Sequence, residues 1–290
     1  MAIRFGEKLT SQLGSSELIT VLLATYNWPQ ALGLCLHSLN DQTDRHFEVL
    51  IADDGSTAAT ADLLQTFTSI SRFPFQHVWQ EDIGFRKARI LNAALERAQG
   101  KYLVFLDGDC MVQPDFIARH RQLAQVGHLV TGSRVLLNAK LTDQIIDLSK
   151  LAGSLNKTWS FKQFLSKVPY LRLTGGINKA LPFFIKFPFN RFRLYRHFVW
   201  RRIKGCNMAC WEDDARKIGG FDISLIGWGH EDADFVFRLQ DSGVQRISGA
   251  WATEVLHLHH PVGDQTRATE NAIRVREKIL SKASSAPLRE

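Results

Sequence analysis

The sequence predicts an α/β fold: a mostly parallel sheet flanked by helices, interrupted by a basic, aromatic, helical insert. Three observations carry the expectation. Short, continuous, β-branched apolar runs alternate with helix-period segments through the first 140 residues, as strands buried on both faces and joined by helices require. Three of those runs end in polar clusters at the same relative place. A later stretch breaks the alternation with cations and aromatic rings. With 290 residues, 45% hydrophobic and 22% charged, the chain has enough apolar surface to bury a sizeable core, which excludes disordered and fibrous classes.

Each element follows in order. ELITVLLAT (17–25) reads as a strand ending at Tyr26 and Asn27, and PQALGLCLHSLNDQ as the helix after it. FEVLIADDGS (47–56) is a strand running into a turn, with TADLLQTF as the next helix. FRKARILNAALERAQ (85–99) is a helix closed by Gly100, and KYLVFLDGD (101–109) a third buried strand. Residues 129–137 suggest one more strand. GCNMACWEDDARKIGGFD reads as a strand, a short helix and a Gly-Gly stop. EDADFVFRLQDSG (231–243) is a helix with acids in its first turn, VQRISGAWATEVLHLHH is strand-like, and a charged helical tail begins near 264. The expected organisation is a first half at 17–140, the insert at 141–203, a second half at 204–262 and a tail at 263–290.

Charge is unevenly placed. The chain carries +7 overall, yet the stretch between Asp147 and Glu212 holds 13 Lys or Arg and no acid, so the remainder is net acidic. That stretch also has 13 of the 30 aromatic residues, including Trp159, Phe161, Phe164, Phe183, Phe184, Phe187, Phe189, Phe192 and Trp200. Two readings stand side by side: a surface for anionic membrane lipids, to which Arg191, Arg193, Arg201 and Arg202 contribute, or a helical lid whose rings form its own core. Four cysteines without CxxC spacing suggest reduced thiols in a cytoplasmic chain. No apolar run suggests a signal peptide or a spanning helix, so the expected location is cytoplasmic or peripheral on the cytoplasmic face of an inner membrane.

The chemistry concentrates where strands end. Thr25-Tyr26-Asn27, Asp53-Asp54 and Asp107-Gly108-Asp109 all close strands, and ligands of open parallel sheets bind beyond the carboxyl ends. Asp107 and Asp109 offer hard oxygens to a divalent cation. Alone, the tripeptide is as readily a polar turn; the matched clusters argue for a site. GxxxxGK[ST], GxGxxG, GxSxG and HExxH are absent, so phosphates would be neutralised by a metal and by side chains such as Arg86, Lys87 and Arg89.

Together, LATYNWPQALGLCLHSLNDQ, VLIADDGS and GKYLVFLDGDC resemble the nucleotide-sugar half of the inverting family 2 glycosyltransferases of the GT-A (Rossmann-like) fold. FRKARILN and GGFDISLIGWGHEDADFVFRL are similar to the related β-1,4-galactosyltransferases and chondroitin-polymerase-type enzymes. The resemblance spans roughly 17–137 and 204–262 and leaves out the insert. It implies that Thr25, Tyr26 and Asn27 lie by the nucleotide and that Asp54 hydrogen-bonds uracil. Phe85 and Lys87 would contact base and diphosphate, Asn92 would shape its helix, Asp107 would reach ribose or metal, and Asp109 would ligate Mn2+ or Mg2+. Trp228 would lie over the donor and acceptor sugars, with Glu231 and His230 beside it, and Asp232 would be the catalytic base. A histidine would complete the metal site; His257, His259 and His260 compete, and His257 is favoured.

The reaction's own chemistry agrees with those roles. Expelling a nucleoside diphosphate builds negative charge that a metal and Lys87 stabilise, while a carboxylate removes the acceptor proton. Asp234, by contrast, is as well explained by N-terminal charge complementarity. Trp228 between two glycines suggests a mobile loop that closes over substrate. The expected partners are a UDP-sugar donor, a glycan or glycolipid acceptor such as lipopolysaccharide core, and an anionic membrane surface, with no nucleic acid. Rival readings are a metal-dependent nucleotidyltransferase or phosphodiesterase, and a nucleic-acid binder using the insert. His37, His46, His77, His120, His128 and His197 suggest no site of their own.

Overall fold

A computed structural model describes residues 12–151, 160–185, 193–195, 197–200, 202–261 and 263–285. The expected alternation is present: β1 (Ile19–Thr25), α1 (Pro29–Asn40), β2 (Phe47–Asp53), α2 (Ala58–Thr68), β3 (Phe75–Trp79), α3 (Lys87–Leu95) and β4 (Tyr102–Asp107). Every residue of β1 and β2 is buried, which explains their mostly apolar sequences, and two of the polar exceptions meet each other, the Thr20 hydroxyl donating to Glu48 Oε1 at 2.6 Å. β3, absent from the sequence expectation, is the edge strand of its sheet; only Val78 is buried, so it carries no apolar run.

Then follow β5 (Cys110–Val112), α4 (Phe116–Leu123), β6 (His128–Thr131), β7 (Arg134–Leu136), α5 (Ala139–Leu151), α6 (Phe161–Leu173), β8 (Leu194–Tyr195), β9 (Asn207–Trp211) and α7 (Glu212–Lys217). The chain closes with α8 (Glu231–Asp241), β10 (Gln245–Ser248), β11 (Val255–His257) and α9 (Ala268–Ser285). The main sheet has the order β3-β2-β1-β4-β9-β6-β10-β8; β9 runs antiparallel to β4 and β6, and β8 antiparallel to β10. A smaller sheet, β5-β11-β7, sits beyond the end of β4.

Two expected strands are each broken in two. Residues 129–137 give β6 in the large sheet and β7 in the small one, and the 244–260 stretch divides likewise into β10 and β11. The breaks fall at Gly132 and Gly249, where the two crossing segments touch. A Cβ on Gly249 would lie 2.9 Å from the Gly132 Cα, and one on Gly132 would collide with the Asn207 side chain. Only glycine permits that approach.

The insert is not a detached body. Phe164, Val168, Ile177 and Phe183 pack with Met111, Val135 and Leu256, so α5 and α6 extend the core of the small sheet. The helical expectation holds for α5 and α6, but the insert also returns β8 to the edge of the main sheet. Trp159, Phe187, Phe189, Phe192, Arg191 and Arg201 lie outside the described residues. Arg193 corrects its expected membrane role: it is buried and donates to the Ser248 and Ala250 carbonyls. No helix among the described residues is long and apolar enough to cross a membrane.

Candidate functional site

The strand ends converge as the topology requires. β1 lies between β2 and β4 in parallel register, with Thr25 opposite Asp53 and Ala24 opposite Asp107. Asp53 is spent on structure: its buried carboxylate accepts from the Ser56 N–H and pairs with His77 Nε2, each at 2.8 Å. Asn27 adopts a left-handed φ of 46° and ties the β1 end to the turn after β2, its Oδ1 accepting from the Thr57 N–H and its own N–H donating to Ser56 Oγ. Thr25 is nearly buried beneath this turn, whereas Tyr26 stands half exposed, its hydroxyl donating to Asp82 Oδ2.

Asp54 accepts the Arg86 N–H at 2.7 Å and Gln80 Nε2 at 2.5 Å, so the acid expected to read uracil also positions the start of α3. Burial raises its pKa above the usual carboxylate value. Lys87, the first residue of α3, is drawn inward and donates to Asp107 Oδ1 at 2.5 Å. Burial opposes its charge, but Asp107 and then Glu231 outweigh that cost and hold Lys87 protonated. Asn92 lies on α3 as expected and joins it to the second half, exchanging two 2.8 Å hydrogen bonds with the Phe221 backbone.

Asp107 and Asp109 do not share a partner. While Asp107 turns to Lys87, the Asp109 carboxylate meets His260 Nε2 at 3.2 Å and His257 Nε2 at 3.6 Å. Burial works against the Asp109 charge, yet the two histidines hold its pKa below the ordinary value. His259 is set aside from this group: it is exposed and its N–H donates to Thr142 Oγ1. Asp109, Cys110 and His257 can bring ligand atoms within 4.8 Å of one another. Carboxylate oxygen and imidazole nitrogen suit Mn2+ and, for the oxygen, Mg2+; the buried Cys110 thiol, its pKa pushed up by burial, does not. The residues present therefore fit a divalent ion on Asp109 and His257, with His260 adjacent.

The second half supplies the other wall. Gly227 (φ +84°) and Gly229 (φ +104°) bracket the partly exposed Trp228, conformations that disfavour a Cβ. The loop is braced rather than loose: the Gly227 N–H donates to the Phe85 carbonyl, and the Asn271 side chain from α9 donates to the Ile226 and Gly229 carbonyls. The glycines supply the backbone shape that these bonds hold. His230, also left-handed at φ 75°, places its ring 5.0 Å from that of Trp200 and opens α8.

Asp232 is partly exposed, and its Oδ2 accepts the Gly205 N–H at 2.9 Å. Glu231 is buried with no partner on Oε2; burial, then the charge of Asp232, raises its pKa to about 7. Asp234 is structural, pairing with Arg238 at 2.7 Å and Lys278 at 2.7 Å. Sequence reasoning missed Gln80, Gly205 and the bracing residues Asn271 and Lys278. Nothing in a local motif signals them, because each acts across at least 26 residues of chain.

Comparison with known proteins bears on the family and the fold. A family model described as glycosyl transferase family 2 matches residues 20–193, and one described as the N-terminal domain of galactosyltransferase matches 189–261. Validoxylamine A glucosyltransferase of Streptomyces hygroscopicus subsp. jinggangensis is 27% identical over 248 residues, covering 83% of this chain and 56% of that protein. Chondroitin synthase of Escherichia coli is 26% identical over 244 residues, covering 81% and 34% respectively. The chain therefore spans about half the length, or less, of these relatives. Among solved structures, mannosyltransferase PcManGT from Pyrobaculum calidifontis in complex with GDP-Man and Mn2+ superposes with a TM-score of 0.59 at 18% identity, covering 91% of this chain and 64% of that one. S. aureus TarS 1–349 in complex with UDP gives 0.57 at 14%, covering 94% and 67%. These likenesses show a shared GT-A fold, and with a family model matched over more than half its length, the chain belongs to glycosyl transferase family 2.

Proposed function

We propose that the chain is an inverting, metal-dependent glycosyltransferase that moves a hexose from a UDP-sugar to a hydroxyl of a glycan or glycolipid acceptor. The observation that carries the reading is Lys87, buried between the strand-end Asp107 and the charge of Glu231. One cation thereby links the nucleotide-sugar half to the half that holds the base. The rival readings, nucleotidyl or phosphodiester chemistry and nucleic-acid binding, are not favoured by family membership.

In this reading Tyr26, Asp54 and Phe85 receive the nucleoside, and Lys87 faces the diphosphate. Asp109 and His257 would hold Mn2+ or Mg2+, which when bound stabilises charge on the leaving diphosphate. Trp228, with Glu231 and His230 at its side, lies over the sugars. Asp232 takes the proton of the acceptor hydroxyl as its oxygen bonds to the anomeric carbon and the bond from that carbon to the diphosphate oxygen breaks, which inverts the centre. The Gly205 N–H leaves Asp232 Oδ1 for this task, shared only with the helix backbone at Ala233.

The acceptor we favour is a bacterial surface glycolipid such as lipopolysaccharide core, reached on the cytoplasmic face of the inner membrane. Support comes from Tyr170, Leu173, Leu181, Phe184 and Ile185, all more than half exposed within the basic insert. The test is Asp232→Asn, which keeps the side-chain shape but cannot take a proton. Transfer should fall by about 10² to 10⁴ with UDP affinity retained. Loss of UDP binding in parallel would refute the assignment of Asp232 as base.

A further inference from the structure

A cavity of about 750 Å³ opens between the insert and the far end of the main sheet. Its wall carries Arg134, Arg172, Lys179, Arg202 and Lys204 against a single carboxylate, Glu254. Among the described residues none of these five cations has a carboxylate within ion-pair distance. Lys179 is half-buried and bonds only neutral oxygens, Ser133 Oγ at 2.8 Å and the Arg134 carbonyl at 2.9 Å. Burial opposes its charge; Glu254 offsets part of this, but Arg134, Arg202 and Lys204 add to the opposition, so its pKa is lowered. Five cations facing one carboxylate cost stability, and an anionic ligand would lower the cost.

Trp251 gives the wall its second character. It is partly exposed although its φ is +66°, a conformation that disfavours a residue with a Cβ. Glu254 enforces it, accepting the Trp251 N–H at 2.5 Å. The indole and Arg202 also line a second cavity of about 580 Å³, so the two form one cleft. Lys204 of its wall is joined by one peptide bond to Gly205, whose N–H donates to Asp232 Oδ2.

We propose that this cleft is the acceptor subsite and that it selects an acceptor sugar bearing a phosphate or carboxylate, the anion held by Arg172, Arg202 and Lys204 and the sugar face laid on Trp251. The inference rests on the glycosyltransferase reading but is tested apart from it. Glucose 6-phosphate, glucuronate and glucose are each titrated calorimetrically into the full chain with saturating UDP and Mn2+, so that the strand-end site is occupied. At least one anion should bind, and glucose should bind about tenfold more weakly or worse. Arg172→Gln combined with Arg202→Gln should weaken the anion by about tenfold or more; both side chains are exposed, and thermal unfolding checks the fold. Trp251→Phe should abolish the fluorescence change on binding. Equal affinity for glucose, unaltered binding by the double variant, or no binding of either anion would overturn the proposal. UDP titrated alone into each protein reports the donor site separately; its failure to bind would count against the glycosyltransferase reading, while the anion series alone decides the cleft.

Discussion

Glu231→Gln separates electrostatic strain from packing in the first turn of α8. The wild-type carboxyl is raised from 4.5 to about 7 because it is buried there and because Asp232 adds a second negative charge; Lys87 offsets only part. Ionising it therefore costs about 3 kcal/mol more in the folded chain than in the unfolded one. The sign follows from proton counting. Between 4.5 and about 7 the folded state holds the proton that the unfolded state has released, so stability falls as pH rises through that window and the whole penalty is present above it. Glutamine carries no such charge. Relative to wild type the variant should gain up to about 3 kcal/mol between about pH 4 and about pH 8, whatever constant offset the amide introduces. Urea unfolding of both proteins without metal at the two pH values measures the difference. An identical wild-type-to-variant gap at both would mean that Glu231 does not titrate as a buried acid, and would refute its electrostatic strain.

Asp109→Ala should abolish calorimetric Mn2+ binding and metal-stimulated transfer while leaving the unfolding transition in place, since the residue contributes charge at a strand end rather than packing. Asn271→Ala removes both hydrogen bonds that α9 donates to the Trp228 loop; it should cost about 1–3 kcal/mol in urea unfolding and reduce transfer more than UDP affinity. Leu173→Ser with Phe184→Ser should weaken sedimentation with anionic vesicles without altering UDP binding, because both side chains are exposed. Unchanged vesicle binding would leave these residues to the lid reading.

The parts of the fold that were legible are those whose physics is local. Strands buried on both faces are mostly apolar runs, and so β1, β2 and β4 declared themselves. Their polar ends marked the site, because a parallel sheet sets all its carboxyl ends on one edge. β3 and β8 were hidden because edge strands need not be apolar, and the small sheet because its three-residue strands β5, β7 and β11 are too short to show a period. The competition among three histidines could not be decided from HLHHP, since a strand that ends at His257 sends the next residues along a path that pairing does not fix. The structure separates them by distance, bringing His257 and His260 to Asp109 and leaving His259 outside.

The charged tail shows how tertiary packing assigns a role that pattern leaves blank. As sequence, the tail that begins near 264 is a charged helix with no chemistry. Folded, Lys278 of α9 reaches Asp222 at 2.5 Å and Asp234 at 2.7 Å, and Asn271 holds both ends of the Trp228 turn. Asp234 thus answers to α9 and Arg238, while its neighbours Glu231 and Asp232 face Lys87 and Gly205. Three acids in one helical turn, indistinguishable by composition, are divided by what lies opposite each: a strap, a buried cation and a backbone N–H. The helix dipole acts on all three alike, so it cannot select a base. What distinguishes them is the packing of α9 against one face of α8, which occupies Asp234 and leaves Glu231 to Lys87 and Asp232 to the Gly205 N–H.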